Sequence, residues 1–319
     1  MLLAGFGLAA CRAEDGPPAT PKTVFIVVDG IPADVVERVP TPAIDAIAAA
    51  GGYARAYVGG APGTPSESPT VSAVGYMSLL TGTWANKHNV WDNDVAAPNY
   101  RYWDVFRIAR AHSPTLRTAV FSTWQDNRTK LLGDGLEAAG GPKIDVHVDG
   151  LELDTARFPH DQAGRYIADI DAVVAGEAAR HLRERGPDLT WVYLQHTDDV
   201  AHDAGDGPAF DAAVALMDRR VGEIWSAVRA RQDQRREDWL IVVTSDHGRD
   251  PETGREHGHQ SDRERSIWIA TNSTRLNAHF RETPAVVDIL PSIAAHMRFT
   301  VPEAVRREFD GRSFIDRPE

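Results

Sequence analysis

The stretch that decides the fold is Val242-Val243-Thr244-Ser245-Asp246-His247-Gly248. Its apolar and β-branched residues predict a buried strand that ends at an Asp-His pair and a glycine. Because Asp and His are good ligands for zinc or manganese, the pair indicates a metal site at the carboxyl end of that strand. An Asp-His-Gly triplet alone is common, and it gains weight here because other segments offer matching ligands.

The composition is that of a folded, acidic protein. The chain has 319 residues, of which 42% are hydrophobic and 25% are charged, and its formal net charge is −12. The length suits one large α/β domain. The negative charge gives no general attraction to nucleic acid or anionic lipid, so any anionic substrate would have to be attracted locally by metal ions.

The single cysteine, Cys11, follows a short apolar run. That run, residues 2–10, is too short to span a bilayer and is typical of an export signal. Residues 8–11 resemble a bacterial lipobox, in which the cysteine is lipidated, and residues 12–21 would form a tether. We therefore expect an exported lipoprotein anchored at Cys11, although no Lys or Arg precedes the run; the alternative is a frayed N-terminus with an incidental cysteine.

Predicted strands alternate with predicted helices along residues 22–319, which we interpret as one domain. β-Prone runs predict strands, and apolar residues at helical spacing predict helices. The strands are expected at residues 22–28, 118–122, 190–194, 242–244 and 266–270, and the helices at 42–50, 73–80, 161–185 and 209–231. This order predicts a doubly wound α/β fold with a mostly parallel central sheet and helices on both faces. Residues 134–160 lack periodicity and are a candidate for an insertion that shapes the substrate pocket.

Candidate ligands follow several of the predicted strands, where doubly wound sheets bind their ligands. Asp29 ends the first strand, and Asp198 and His202 follow the strand at 190–194. Their spacing of four places both side chains on one face of a helical turn. Taken alone, Asp29 could cap a turn and the pair could be a surface contact. A polar loop after the Asp-His pair adds His257 and His259, one of which would be a further ligand.

A hydroxyl residue, Ser72, stands just before the helix predicted at residues 73–80. A helix N-terminus offers free N–H groups and a positive dipole end, which favour an alkoxide and bind phosphate oxygens. Ser72 is therefore a candidate nucleophile. Its alternative is a structural role as helix N-cap.

Taken in order, these motifs resemble those of the alkaline phosphatase superfamily, and most closely its type I phosphodiesterase/nucleotide pyrophosphatase branch. The resemblance spans about residues 22–270 and is specific as an ordered set. It is carried by Asp29-Gly30, residues 69–82 with their Leu-Thr-Gly end, residues 87–93, Asp198 with His202, residues 245–248 and His257-Gly258.

The resemblance implies two divalent metal ions, zinc before manganese or iron. One ion would be held by Asp29, Asp246, His247 and Ser72 Oγ, and the other by Asp198, His202 and His257. Ser72 would form a phosphoenzyme that water hydrolyses, and Asn93 would hydrogen-bond the phosphate. The family's usual nucleophile is a Thr followed by an aromatic residue and Pro-Asn-His, whereas Ser72 is followed by Ala-Val-Gly-Tyr. Thr70 therefore remains the alternative nucleophile, and His259 the alternative to His257.

We expect a metal-dependent phosphodiesterase or phosphatase that acts outside the cytoplasm. A sulfatase is not expected, because the chain lacks a Cys/Ser-x-Pro-x-Arg signature at the nucleophile. A phosphonoacetate-type C–P hydrolase using the same site is an alternative, as is a non-catalytic lipoprotein that binds a metal or a phosphorylated ligand. Arg249 and Trp91 lie near the motifs and are candidates for the wall around the phosphate.

Overall fold

The computed structural model of the chain describes residues 19–161 and 164–317. The predicted lipobox with Cys11 and most of the predicted tether lie outside these residues. Within the two ranges, no helix combines the length and the apolar character needed to cross a lipid bilayer.

A seven-stranded sheet forms the centre of the fold. Its strands are β1 Thr20–Val28, β2 Gly52–Tyr57, β3 Thr118–Ser122, β4 Val146–Val148, β5 Leu189–Leu194, β6 Glu237–Thr244 and β7 Ser266–Thr271. They are arranged in the order β2-β7-β6-β1-β5-β3-β4. β7 pairs antiparallel with both of its neighbours, whereas the pairs from β6 to β4 are parallel. The predicted mostly parallel sheet is confirmed.

Helices cover both faces of this sheet. They are α1 Ala33–Arg38, α2 Pro42–Ala50, α3 Ser72–Thr81, α4 Ala85–His88, α5 Val105–His112, α6 Arg165–Glu184, α7 His196–Ala204, α8 Pro208–Gln234, α9 Asp262–Arg265, α10 Ile289–His296 and α11 Glu303–Arg306. A π-helical turn spans Asn127–Leu131, and short 3-10 turns span Glu137–Ala139, Leu151–Leu153, Ala278–Arg281 and Val286–Asp288. The core on one face includes residues of α2, α6 and α8, and the core on the other includes residues of α3, α5 and α10.

β1 shows why the predicted strands have continuous apolar runs. Phe25 and Val27 belong to the core on the α3 side, while Val24, Ile26 and Val28 belong to the core on the α8 side. Successive side chains of a strand point to opposite faces, so a strand covered by helices on both faces needs apolar residues at every position. The uninterrupted apolar run is therefore the pattern of a central parallel strand.

Several local features differ from the sequence-based expectations. β2 at the sheet edge was not predicted, because its exposed and half-buried positions include Gly52 and Arg55. A threonine before a helix usually caps it through its hydroxyl, but Thr41, the N-cap residue of α2, makes no capping hydrogen bond among the described residues. The N–H groups of Ala43 and Ile44 instead donate to the Asp218 carboxylate of α8, at 3.0 and 2.9 Å. Capping from a distant helix leaves no signal in the local sequence.

Residues 134–160, the candidate pocket-forming insertion, contribute β4 to the sheet beside β3. A buried ion pair between Lys143 Nζ and Asp104 Oδ2, at 2.9 Å, ties this segment to the start of α5. The Asp134 carboxylate also accepts hydrogen bonds from the backbone N–H groups of Lys143 and Ile144. The segment is thus attached to the sheet through β4 and to α5 through Lys143, while the Asp134 hydrogen bonds hold the segment together internally.

Candidate active site

The residues predicted for the site meet beyond the carboxyl ends of three adjacent strands. Asp29 follows β1, α7 with its acidic first turn follows β5, and Asp246-His247 follows β6. Because β1 lies between β5 and β6, the three strand ends open onto one place. The sheet topology therefore brings together residues that lie more than 200 positions apart.

The first ligand group is centred on His247 Nε2, which is completely buried. Asp29 Oδ1 and Asp246 Oδ2 each lie 3.3 Å from this nitrogen. The Ser72 hydroxyl oxygen lies 3.2 Å from the same nitrogen. The predicted donors of one metal ion, four side chains from three separate segments, thus converge on one point.

The hydrogen bonding of two of these oxygens shows whether the site suits a cation. Asp29 Oδ1 and Asp246 Oδ2 are buried, and neither has a hydrogen-bond partner in the part of the chain that the structure describes. A buried carboxylate oxygen without a partner is costly unless a cation neutralises it. Burial and the Asp29 carboxylate raise the pKa of Asp246 well above its usual range, as expected for two acids that share one buried place. The donor set fits a divalent metal ion.

The orientation of His247 also fits a metal ligand. Its Nδ1 donates to the Gly248 carbonyl oxygen at 2.9 Å, which turns Nε2 toward the carboxylates. Burial lowers the pKa of His247, but the carboxylates of Asp246 and Asp29 outweigh it and raise that pKa to about 9. Without a metal ion, a proton on Nε2 would neutralise the acids. A metal ion would replace that proton and leave Nε2 as a ligand.

The second ligand group joins α7 to the loop after β6. His202 Nε2 lies 3.1 Å from His257 Nε2 and 3.4 Å from Asp198 Oδ2, while His257 Nε2 lies 3.8 Å from Asp198 Oδ1. His257 Nδ1 donates to the Thr70 carbonyl oxygen at 2.8 Å, so its Nε2 is free to accept. Burial and the neighbouring His247 lower the pKa of His257 to about 3, which keeps the ring neutral. Neutral imidazole is the form that binds metals.

The two groups touch at His247. Its ring stacks on the ring of His257 with a centroid distance of 3.8 Å, and its Nε2 lies 3.9 Å from Asp198 Oδ1. One atom each of Asp198, His247 and His257 also lies within 4.8 Å of the others. The two ligand groups are therefore neighbours, as the predicted pair of ions acting on one phosphate group would require.

Arg249 lies behind Asp198 and is completely buried, so it does not provide the substrate wall considered from the sequence. Its Nη2 donates to Asp198 Oδ1, and its Nε donates to the Gly30 carbonyl oxygen at 3.1 Å. Although burial opposes it, Arg249 with His202 holds the pKa of Asp198 well below its usual range. Gly30 has a φ of +68°, and a Cβ there would lie 2.8 Å from Asp198 Oδ1. The Asp-Gly motif thus lets the end of β1 approach Arg249 and Asp198.

Two buried tyrosines that the motif comparison did not identify hold Asp29. The hydroxyl of Tyr76 donates to Asp29 Oδ2, and the hydroxyl of Tyr193 donates to the same oxygen at 2.5 Å. Tyr76 is the last residue of the Ala-Val-Gly-Tyr segment, in which the sequence departs from the family's aromatic residue and Pro-Asn-His. One residue of the departing segment therefore contacts a predicted metal ligand.

Ser72 is the first residue of α3, after Val71 at the N-cap. The N–H of Ala73 donates to Asn93 Oδ1 at 3.0 Å, so Asn93 satisfies a donor of the helix that presents Ser72. A Cβ on Gly75 would lie 2.6 Å from the carbonyl oxygen of Asp246. Glycine at this position lets α3 pack against the end of β6 and brings Ser72 to the ligands.

The alternatives left open by the sequence are placed elsewhere. The hydroxyl of Thr70 accepts a hydrogen bond from the N–H of Gly258 at 2.9 Å and is completely buried. His259 is exposed at the surface, and its backbone N–H donates to Glu264. The geometry favours Ser72 over Thr70 and His257 over His259.

A cleft of about 350 Å³ opens beside Ser72. Its lining residues are Asp29, Ser72, Tyr76, Asn93, Asp94, Trp124, Asp126, Lys130, Tyr193, Gln195 and Asp198. Trp124, Asp126 and Lys130 lie between β3 and residues 134–160. Lys130 belongs to the π-helical turn, and Trp124 and Asp126 directly precede that turn. No motif pointed to them. Trp91, the other wall candidate, is exposed and donates its indole N–H to Asn89.

Asp171 of α6 lies beneath this site and was not singled out from the sequence. Its carboxylate accepts hydrogen bonds from the Thr123 hydroxyl at 2.5 Å and from the backbone N–H groups of Gln195 and His196 at 3.1 and 2.9 Å. These N–H groups start α7, the helix that carries Asp198 and His202. Asp171 therefore caps the ligand-bearing helix from another helix.

Comparison with known proteins agrees with this geometry. The family model of type I phosphodiesterase/nucleotide pyrophosphatase matches residues 23–306. No curated protein sequence matches the chain. The phosphonate monoester hydrolase of Agrobacterium radiobacter is similar in structure, with a TM-score of 0.65 and 17% sequence identity over 94% of this chain and 78% of that one.

Two further solved structures have the same fold. A phosphonate monoester hydrolase from Silicibacter pomeroyi has a TM-score of 0.58 and 16% identity over 92% of this chain and 76% of that one. A putative sulfatase from Bacteroides thetaiotaomicron has a TM-score of 0.63 and 14% identity over 92% and 73%. At these identities the likeness is one of fold, and the predicted alkaline phosphatase-like architecture is confirmed.

Proposed function

The chain belongs to the type I phosphodiesterase/nucleotide pyrophosphatase family, and from this premise we propose that it hydrolyses phosphoric esters with two bound divalent ions and Ser72 as nucleophile. The observation that carries the proposal is the convergence of Ser72 Oγ with two buried carboxylate oxygens on His247 Nε2. A purely structural serine would not need unpaired acids beside its hydroxyl. Membership of a hydrolase family makes ester hydrolysis the chemistry that best fits this convergence.

Asp29, Asp246, His247 and Ser72 would hold one ion, and Asp198, His202 and His257 the other. Zinc suits these few nitrogen and oxygen donors best, with manganese or iron as alternatives. Bound there, the ions would lower the pKa of the serine hydroxyl and stabilise charge on the transferring phosphoryl group.

In the proposed reaction, Ser72 Oγ attacks phosphorus and forms an Oγ–P bond while the bond from phosphorus to the leaving oxygen breaks. The hydroxyl proton of Ser72 is lost to solvent, and the leaving oxygen takes up a proton to depart as an alcohol. Water then attacks the phosphoserine, its oxygen stays on phosphorus, and Ser72 regains a proton. The net reaction consumes one ester and one water and yields one alcohol and one phosphate or phosphate monoester.

Asn93 would orient the phosphate beside the nucleophile. Because its Oδ1 accepts from Ala73 N–H, its amide N–H groups are left to donate, and Asn93 lines the cleft next to Ser72. The cleft volume of about 350 Å³ is at the small end for ligand pockets. It suits a small phosphorylated molecule.

The test is to assay zinc-loaded protein with bis(p-nitrophenyl) phosphate, p-nitrophenyl phosphate and p-nitrophenyl phenylphosphonate. The relative rates rank diester, monoester and phosphonate monoester, the last being the substrate class named for two proteins of similar fold. Ser72→Ala should lower kcat by at least about a thousandfold while the metal content stays near two ions per chain. The control is Ser226→Ala, an exposed serine on α8. Full activity in Ser72→Ala would contradict the assignment of the nucleophile.

Assays of the same zinc-loaded protein also distinguish the proposed esterase from two alternative functions. A phosphonoacetate-type C–P hydrolase would release phosphate from phosphonoacetate and leave the esters intact. A non-catalytic binding protein would take up two ions and turn over none of these substrates.

Export and lipid anchoring at Cys11 are also part of the proposal, carried by the lipobox-like residues 8–11. The full-length chain produced in a bacterial host should partition into membranes and gain the mass of a lipid at its mature N-terminus. Cys11→Ser should release it into the soluble fraction. Equal partitioning of both forms would argue against the anchor.

A further inference from the structure

We propose that Tyr76 and Tyr193 are positioning residues that leave Asp29 one metal-binding oxygen, and that they thereby make its site select a four-coordinate ion such as zinc over six-coordinate ions. This inference rests on the metal binding proposed above, and it adds two residues and a mechanism of metal selection. It concerns only the first ligand group, which consists of Asp29, Asp246, His247 and Ser72.

The tyrosine hydroxyls occupy one side of the Asp29 carboxylate. Both donate to Oδ2, while Oδ1 has no hydrogen-bond partner within residues 19–161 and 164–317 and lies 3.3 Å from His247 Nε2. A phenol has a single hydroxyl hydrogen. Both hydrogens are directed at Asp29, so these hydroxyls act on the carboxylate rather than donating to a substrate.

Asp246 is restricted in the same way by other groups. Its Oδ1 accepts from the N–H of Gly30 at 3.0 Å and lies 3.5 Å from the Ser245 hydroxyl. Its Oδ2 is the oxygen left without a partner in the described chain. Each acid of the site thus offers one free oxygen, and both free oxygens face His247.

The number of free donors then determines which ion fits. Two carboxylate oxygens, His247 Nε2 and Ser72 Oγ make four single-atom donors, the number and type that zinc prefers. Magnesium and manganese favour six mostly oxygen ligands, and calcium takes six to eight, often through bidentate carboxylates. Holding Asp29 Oδ2 away from the ion removes one oxygen that a six-coordinate ion could use, and it removes the bidentate mode that calcium often uses.

The tyrosines are well placed for a rigid hold. Both are at most 2% exposed, and their rings pack edge to face with a centroid distance of 5.0 Å. Tyr76 lies one turn after Ser72 on α3, and Tyr193 lies on β5 beside β1. Asp29 is therefore held between the nucleophile helix and the central sheet.

The experiment compares Tyr76→Phe and Tyr193→Phe, which delete one hydroxyl each and keep the ring. The matched control is Tyr53→Phe. Tyr53 lies on β2 at the edge of the sheet, and its hydroxyl donates to the carboxylate of Glu37 at 3.0 Å. Metal-free proteins are titrated with Zn²⁺ and with Mn²⁺ by calorimetry. We expect each site variant to bind zinc about 10- to 100-fold more weakly at one of two sites, with a smaller loss for manganese. The other site, and both sites of Tyr53→Phe, should bind as in the wild type.

Unchanged zinc and manganese affinities in both site variants would overturn the inference. If a variant fails to fold, a crystal structure of the zinc-loaded wild type decides instead, because coordination by Asp29 Oδ2 or a six-coordinate ion at this site contradicts the proposal. If the wild type binds zinc with this selectivity but hydrolyses no ester, the proposed function is refuted and this inference is retained. If the wild type binds no ion, both the proposed function and this inference are refuted.

Discussion

Asn93 Oδ1 accepts a hydrogen bond from the backbone N–H of Ala73, the residue that follows Ser72. The bond ties a side chain of the cleft wall to the first turn of α3. This hydrogen bond satisfies one backbone N–H in the first turn of α3. Because it uses Oδ1 of Asn93, the side-chain N–H groups of Asn93 are left to donate in the cleft.

Replacing Asn93 by Asp should therefore affect catalysis more than stability. The carboxylate can still accept from Ala73, but it has no hydrogen to donate and adds negative charge next to the phosphate. We expect kcat/KM to fall by about 10²- to 10³-fold, with a smaller fall for Asn93→Ala, which lacks the repulsive charge. Steady-state kinetics on the preferred ester measures both. Equal rates in Asn93→Asp and the wild type would exclude contact with the phosphate.

Arg249 should be essential for stability when the metal is absent. Arg249→Met keeps the length of the side chain but leaves the Asp198 carboxylate, 14% exposed, without its guanidinium partner. We expect a loss of about 3–5 kcal/mol in the free energy of unfolding of metal-free protein, measured with urea. Arg38→Met is the control, since Arg38 pairs with Asp211 at the surface and should change stability by less than about 1 kcal/mol. Similar losses in the two variants would contradict a special role of Arg249.

Asp171 should affect the second ligand group, Asp198, His202 and His257, because it holds the start of α7. Asp171→Ala leaves the N–H groups of Gln195 and His196 and the Thr123 hydroxyl without their acceptor. We expect a loss of about 2 kcal/mol in stability and about tenfold weaker binding of one ion, with the other ion unaffected. Calorimetric titration with zinc measures the affinities. Asp45→Ala, an exposed acid in the first turn of α2, should change neither quantity.

The convergence of Asp29, Asp246 and His247 could be predicted from the sequence because the positions of these residues follow from chain topology. Asp29 and the Asp246-His247 pair end apolar runs, and the carboxyl ends of parallel strands meet at one edge of the sheet. Asp198 and His202 follow a third run with helical spacing. In each case a local pattern places the residue just after a strand. The geometry of doubly wound sheets then predicts that these strand ends lie close together.

The supporting contacts could not be predicted, because no local pattern announces them. Tyr76 and Tyr193 look like core aromatics, and their hydroxyls gain a role only because α3 and β5 pack on either side of Asp29. Because Arg249 follows His247 by two residues, the sequence made it a candidate for the wall around the phosphate. Its side chain instead points inward and donates to Asp198. Asp171 lies mid-helix on α6 and meets α7 only through tertiary packing. Such contacts depend on packing between elements, which sequence spacing does not encode.

Acid should destabilise the protein through His88, which is completely buried beside α3. Its Nδ1 accepts from the N–H of Val90 at 3.1 Å, its Nε2 faces the Ser78 hydroxyl at 3.0 Å, and burial lowers its pKa to about 3. In the unfolded chain the ordinary pKa is about 6.5, so the unfolded state takes up a proton that the native state cannot. The contribution of His88 is therefore complete above pH 6.5 and is lost as the pH falls toward 3. At pH 5 the loss amounts to about 2 kcal/mol.

Replacing His88 by Asn should remove this part of the pH dependence. Asn Oδ1 can still accept from Val90, but the side chain does not titrate. We expect the variant to be less stable than the wild type at pH 8, because it loses ring packing and the contact to Ser78. Between pH 8 and pH 5, however, it should lose about 2 kcal/mol less than the wild type. Urea unfolding of metal-free protein at several pH values measures the difference, with His147→Asn, an exposed histidine of β4, as control. Parallel pH curves for His88→Asn and the wild type would mean that His88 takes up its proton in the native state.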